Sequence, residues 1–374
     1  YKQTTIGIEM IKYFSDAGGY VLFKDYCPYA NFIPEDLYND WLENIYCYGV
    51  SDYDHPSSLE EAKDLYISLI TLGIRVEGQQ WLPANDFKNM LGIIQPMSYV
   101  LSQFAPEYFF PYLFLCRIFE LNKIADFFNI DLPNIPKRTD YKGRCMYYWE
   151  LCEVFYLFRK ENGLSPADLW SFLYDFAPNN LPSEKIDMPK PSQVWFIGGR
   201  LYQEDKSLES KFWQSSPETK KGDILVHYET SPISAITCIE TSLTDGVIDP
   251  LFRYYGCIYI GNRINIPHIT LKELQTDEYF FKHPLVRKNF QGVNGWSVNS
   301  ENYSELLRMI KTKGFDIEVL PKLYAPTLPK DVIIEYEHDV EQQLLEPLLN
   351  SMGWYENKDF IRQLPIQAGR GHRI

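Results

Sequence analysis

The 374-residue chain contains no C-x-x-C pair, and its six histidines (His55, His227, His268, His283, His338 and His372) stand far apart. A structural zinc centre draws on paired Cys or His at short spacing, so the spacing along the chain argues against one. The seven cysteines (Cys27, Cys47, Cys116, Cys145, Cys152, Cys238 and Cys257) are odd in number and sit among apolar neighbours, the pattern of a reduced, cytoplasmic protein. No run approaches the roughly 18 apolar residues of a membrane helix, and no signal-peptide pattern opens the chain. G-x-x-x-x-G-K-[ST], G-x-G-x-x-G and G-x-S-x-G are all missing, which removes a phosphate loop, a dinucleotide fingerprint and a nucleophile elbow. Gly198 and Gly199 in "FIGGRLY" read as a turn. The first residue is Tyr1 and not Met, so an upstream segment is expected.

Aromatic residues are abundant: 28 Tyr, 23 Phe and 8 Trp make up 16% of the chain. A chain so rich in large rings folds around them and is not a disordered, charge-rich segment. The net charge of −14 argues against a protein that coats nucleic acid with clustered Lys and Arg. The charge is uneven, however. Residues 1–191 hold 16 basic and 26 acidic side chains, residues 192–330 hold 16 of each, and residues 331–374 hold 4 and 8. The neutral middle is the part least repelled by a polyanion.

Two proline clusters, "APNNLPSEKIDMPKP" (177–191) and "PKLYAPTLPKD" (321–331), divide the chain. Residues 1–176 show helical spacing in "LEEAKDLYISLITLGI" and "YYWELCEVFYLFRKENG". In "LSPADLWSFLYDF", Ser165 fits an N-cap, Pro166 the first turn and Asp168 a capping-box acid. "LNKIADFFNIDLPNIP" has the outline of half a helix-turn-helix, but Ile124, Phe127 and Phe128 read better as core amid such acidity. This half suits protein partners or self-association. Residues 192–320 change to short β-type runs, "QVWFIGG", "GDILVHYET", "AITCIETS" and "YYGCIYIGN", closed by a helix in "YSELLRMIKTKG". A small barrel or curled sheet is expected there.

Residues 192–314 resemble the EVE-like branch of the PUA-like barrels, relatives of the YTH readers of methylated RNA. The likeness is carried by the opening strand with Trp195 and Phe196, by Trp213 followed by Ser215 and Ser216, and by the Gly222-Asp223 turn leading to a strand that ends in Tyr228. "AITCIET" and the closing stretch "HPLVRKNFQGVNGWSVNSENYSELLRMI" complete it. The resemblance implies a pocket for a flipped base. Such a pocket needs aromatic walls and a few exact donors, and stacking contributes about 1–3 kcal/mol per base. It implies Trp213 as one wall, Trp195, Tyr228 or Trp296 as the other, Ser215 and Ser216 as polar contacts, and Arg287 and Lys288 on phosphate. The ordered set of cage tryptophans of the methyl-RNA readers is incomplete here, which leaves the modification open.

The last stretch, 332–374, sets Val340, Leu344, Leu345, Leu348 and Met352 at helical spacing, with Pro347 inside the pattern. "EYEHDVEQQLLEPLLNSMGW" resembles the opening of the PD-(D/E)XK nuclease domain at the N-terminus of type I restriction motor subunits. The likeness implies that Glu337 faces a Mg²⁺ site, that "FIRQLPIQAGRGHRI" approaches the metal-binding Asp, and that this Asp and the E-x-K follow beyond Ile374. The combined expectation is an α+β multidomain protein: a helical N-terminal domain, a PUA-like barrel, and the start of a restriction-endonuclease-like fold. Its function would be that of a modification- or nucleic-acid-sensing restriction endonuclease of a bacterial defence system. DNA would be a likelier partner than RNA, Mg²⁺ the nuclease cofactor, and membranes no partner. The alternatives are a non-enzymatic reader of RNA or of a nucleotide signal, and a protein-interaction scaffold.

Overall fold

A computed structural model describes residues 1–27, 30, 33–76, 79–182, 188–200, 211–252, 255–324, 334–352 and 354–362. The chain is a mixture of helices and a curled half-barrel sheet, in two compact units: residues 1–185 with 247–255, and residues 186–246 with 256–374. No helix among the described residues is long and apolar enough to cross a membrane.

The first unit is mainly helical, and its helix ends follow from capping chemistry. Ser58 accepts from the Glu61 amide at the head of helix Leu59–Leu72, and Gly73, at φ +74°, releases the chain at its end. Asp140 caps the 21-residue helix Tyr141–Glu161. Ser165 and Asp168 form the reciprocal capping box that their spacing predicts, heading Pro166–Ser171. The core is aromatic, and its buried phenols are satisfied by backbone. Tyr66 donates to the Cys145 carbonyl at 2.6 Å, and Tyr148 to that of Phe110 at 2.7 Å. Trp149 packs between the rings of Tyr66 and Phe109.

One sequence expectation for this unit changes. Phe127 is 48% exposed and not core, because Leu121, Ile124 and Ala125 take the inward stripe of helix Ile118–Phe128 and residue 127 falls off it. Residues 130–140 carry no helix, so no recognition helix follows this one. Within the proline-rich stretch 177–191, Ala177–Asn180 is a helical turn.

Residues 247–255, interior to the β-rich segment by sequence, pack in the first unit. Arg144, almost wholly buried, donates to the carbonyls of Pro250 (2.8 Å) and Phe252 (2.6 Å), and its guanidinium lies over the rings of Tyr141 and Tyr255. Asp249, also buried, accepts from the Leu251 and Phe252 amides.

In the second unit, the strands β1 (Val194–Gly199), β2 (Lys211–Gln214), β3 (Ile224–Glu229), β4 (Ala235–Ser242), β5 (Gly256–Thr270) and β6 (Trp296–Val298) pair in the order β2-β5-β4-β3-β1-β6. The β1–β3 pair is parallel, and the others on this path are antiparallel. Strand β3 is buried at every position because both sheet faces are covered. Val194, Phe196, Val226, Tyr228, Ile236 and Ile239 share one cluster with Leu306 and Ile310 of helix Ser300–Thr312. Trp195, Ile197, Leu225, Ile258 and Ile260 form a second cluster, with Trp213 against it.

Near the C-terminus the backbone stays helical from Glu337 to Ser351, α-helical at Glu337–Val340 and Glu346–Ser351 with a π-helical turn at Glu341–Leu345 just ahead of Pro347, whose missing N–H cannot continue the regular hydrogen-bond pattern. None of these residues is buried. Beyond them Asp359 pairs with Lys220, whose ammonium lies 4.8 Å from the Trp354 ring centre. Residues 363–374, including most of "FIRQLPIQAGRGHRI", lie outside the described residues.

Candidate functional site

Trp213 is held at the half-barrel surface by a loop far away in sequence. Its indole Nε1 donates to Asn294 Oδ1 at 3.3 Å; the same oxygen accepts from the Gly198 amide at 2.7 Å, and Asn294 Nδ2 donates to Gln214 Oε1 at 3.2 Å. One amide side chain therefore ties β1, β2 and the loop before β6 around a half-buried indole. Gly199 is required beneath it: a Cβ there would stand 2.5 Å from Trp213 Cζ2.

The segment after Trp213 is fixed by close backbone approaches. A Cβ on Gly295, which has φ +74°, would meet the Ser216 amide nitrogen at 2.5 Å, and one on Gly256 would meet the Ser215 carbonyl oxygen at 2.6 Å. Ser215 is buried and shares a 2.9 Å hydrogen bond with Thr219; half-buried Ser216 accepts from the Glu218 amide. The fold thus brings Trp213, Ser215 and Ser216 together with the Asn294-Gly295 turn.

The other sequence-derived residues are placed differently. Trp195, 2% exposed, lies in the apolar cluster that Trp213 packs against, and its Nε1 donates to Asp223 Oδ2 at 2.9 Å. Tyr228, also 2% exposed, stacks on Phe290 at 4.0 Å in the cluster with the helices. Neither presents a ring face to solvent. Half-buried Trp296 stands edge-on to His283. Arg287 and Lys288 are exposed at the end of the short helix Pro284–Arg287. Glu337 is exposed at the start of its helix.

Behind Trp213 lies a buried polar group that the spacing along the chain does not reveal. His227 on β3 is paired with Cys238 on β4, and Glu240 follows two positions later. All three are buried, and one ligand-type atom from each lies within 4.8 Å of the others. His227 Nδ1 is 2.9 Å from Glu240 Oε2, and Arg263 Nε donates to Oε1 at 2.8 Å. Burial pushes the Glu240 carboxyl up, but the His227 and Arg263 contacts outweigh it and hold the group below its usual value. Burial, with Glu240 adding to it, pushes the Cys238 thiol up to about 12. His227 Nε2 is buried without a hydrogen-bond partner, and the ring stands edge-on to Trp213 at 4.8 Å. Adjacent-strand register unites these groups. The legible signals were His227 in "LVHYE" and the alternating Cys238 and Glu240 in "TCIET".

Asn294 was the other omission. Its signal is the "NG" dipeptide of "QGVNGW", a turn whose side chain is free to reach back to the sheet.

No protein-family model matches the chain, and no curated protein does. Among solved structures, protein Atu2648 from Agrobacterium tumefaciens is 17% identical over 36% of this chain and 100% of its own, with a TM-score of 0.30. Rpa0253 from Rhodopseudomonas palustris is 14% identical over 32% and 94%, at 0.28. A hypothetical protein from Leishmania major is 12% identical over 33% and 98%, also at 0.28.

Proposed function

We propose that the half-barrel is a PUA-like reader that stacks a flipped nucleobase on Trp213, within a restriction-type, DNA-directed defence protein. The observation that carries this reading is the half-buried indole fixed by Asn294, with the amides of Asn294 and Gln214 beside it. A platform whose rotamer is already set loses little entropy on binding, and amides offer both donors and acceptors to a base edge. Ser216 and Trp296 are the remaining candidate contacts from the resemblance, and exposed Arg287 and Lys288 are candidates for phosphate.

The test is binding of fluorescent oligonucleotides, DNA and RNA, each with and without methylated bases. Trp213→Ala is expected to weaken the preferred ligand by roughly 5- to 150-fold, the equivalent of losing one stacked base, with Trp213→Phe recovering part of it. Equal binding by wild type and Trp213→Ala overturns the reader, and a preference for RNA redirects it to the non-enzymatic alternative. The nuclease half of the proposal places Glu337 at a Mg²⁺ centre that further residues must complete. It requires the reading frame to run past Ile374 into a strand with Asp and then E-x-K; a stop codon there removes it.

A further inference from the structure

We propose that His227, Cys238 and Glu240 bind a divalent transition-metal ion of the zinc class inside the half-barrel. Thiolate, imidazole and carboxylate together form a ligand set that suits zinc or cobalt and does not suit magnesium. Strand geometry converges the three: His227 and Cys238 face each other across the β3–β4 pair, and Glu240 is on the same face as Cys238 by the two-residue alternation. Three protein ligands leave a fourth position open.

Charge supports a cation here. Glu229 and Glu240 are both buried, and Arg263 is the guanidinium that acts on Glu240, Glu229 and Cys238 alike. Two buried carboxylates gathered beside one guanidinium make a poorly solvated place that favours a further cation. A divalent ion bound here displaces the Cys238 proton to solvent, because the thiolate is the form that ligates. Arg263 holds Glu240 Oε1 and leaves Oε2 for the ion, as outer-shell partners of ligating carboxylates do.

The experiment titrates chelator-treated protein with Co²⁺, followed by Zn²⁺. One equivalent of cobalt is expected to give a near-ultraviolet thiolate-to-cobalt charge-transfer band and the intense visible bands of a four-coordinate site, both bleached by zinc. Cys238→Ser, close in shape to the native residue, should lose the charge-transfer band and bind at least tenfold more weakly while keeping the wild-type circular dichroism. Absence of the band in wild type, or its survival in Cys238→Ser through another thiol such as exposed Cys47, overturns the proposal. Should that variant fail to fold, zinc X-ray absorption on the wild type decides. One sulfur with nitrogen and oxygen neighbours supports the site, and a shell with no sulfur or several overturns it.

Discussion

The Trp195 indole donates to the buried carboxylate of Asp223 at 2.9 Å, and that carboxylate also accepts from the amides of Gln193 (3.1 Å) and Lys220 (2.8 Å) and the hydroxyl of Ser192 (3.2 Å). The opening strand, the turn before β3 and the sheet interior therefore meet at one side chain. Asp223→Ala leaves these donors without an acceptor and is expected to destabilise the second unit by at least about 3 kcal/mol, against about 1–3 kcal/mol for Trp195→Phe. Urea unfolding followed by tryptophan fluorescence measures both. A loss under about 1 kcal/mol for Asp223→Ala would show that the carboxylate is not the anchor.

Gly199→Ala places a methyl group where the Trp213 ring now lies, 2.5 Å from Cζ2. The indole must leave its present position, so base binding is expected to fall about as far as in Trp213→Ala, with altered Trp213 fluorescence. Binding indistinguishable from wild type would mean that the rotamer held by Asn294 is not the binding one.

Asp249 supplies a pH dependence. Burial, only partly offset by the Leu251 and Phe252 amides, raises its carboxyl from 3.8 to about 6. A folded-state value above the unfolded one means that its stabilisation is complete below about pH 4 and is lost as pH rises through about 6. The first unit should therefore weaken by about 3 kcal/mol over that window, and Asp249→Asn should flatten this component. Denaturant midpoints from pH 4 to 7.5 compare the two proteins; identical pH profiles would refute the assignment.

Arg144→Met keeps the aliphatic bulk and removes the donors to the Pro250 and Phe252 carbonyls. Hydrogen exchange of the Asp249, Leu251 and Phe252 amides should accelerate by one to two orders of magnitude, equivalent to about 1.4–2.8 kcal/mol, ahead of those in helix Tyr141–Glu161. Unchanged exchange would assign the restraint to apolar packing of Leu251 instead.

Local signals in the sequence were dependable where the physics is local. The Ser165–Asp168 box, the periodic run that becomes Tyr141–Glu161 and the short β-type runs that become β1, β3 and β4 all depend on neighbours within a few residues. What depends on register or distant packing was not legible. Trp195 and Trp213 look equivalent in the sequence, yet Asp223 draws one inward while Asn294 fixes the other at the surface. Phe127 and Phe128 are adjacent, and only a turn of helix decides which meets the core. His227 is 11 positions from Cys238 and 13 from Glu240, so no search at metal-ligand spacing finds them; a strand pairing does.

The detour of residues 247–255 means that the chain crosses between its two compact units three times. A single cut in the proline-rich stretch cannot liberate an intact half-barrel. The fragment would carry a nine-residue loop whose anchor, Arg144, stayed on the discarded piece, and Leu251 would lose its apolar neighbours. Protease trimming, gene fusion and domain shuffling all meet the same obstacle, so the helical half and the sheet are exchangeable only as a pair, or after that loop has been rebuilt.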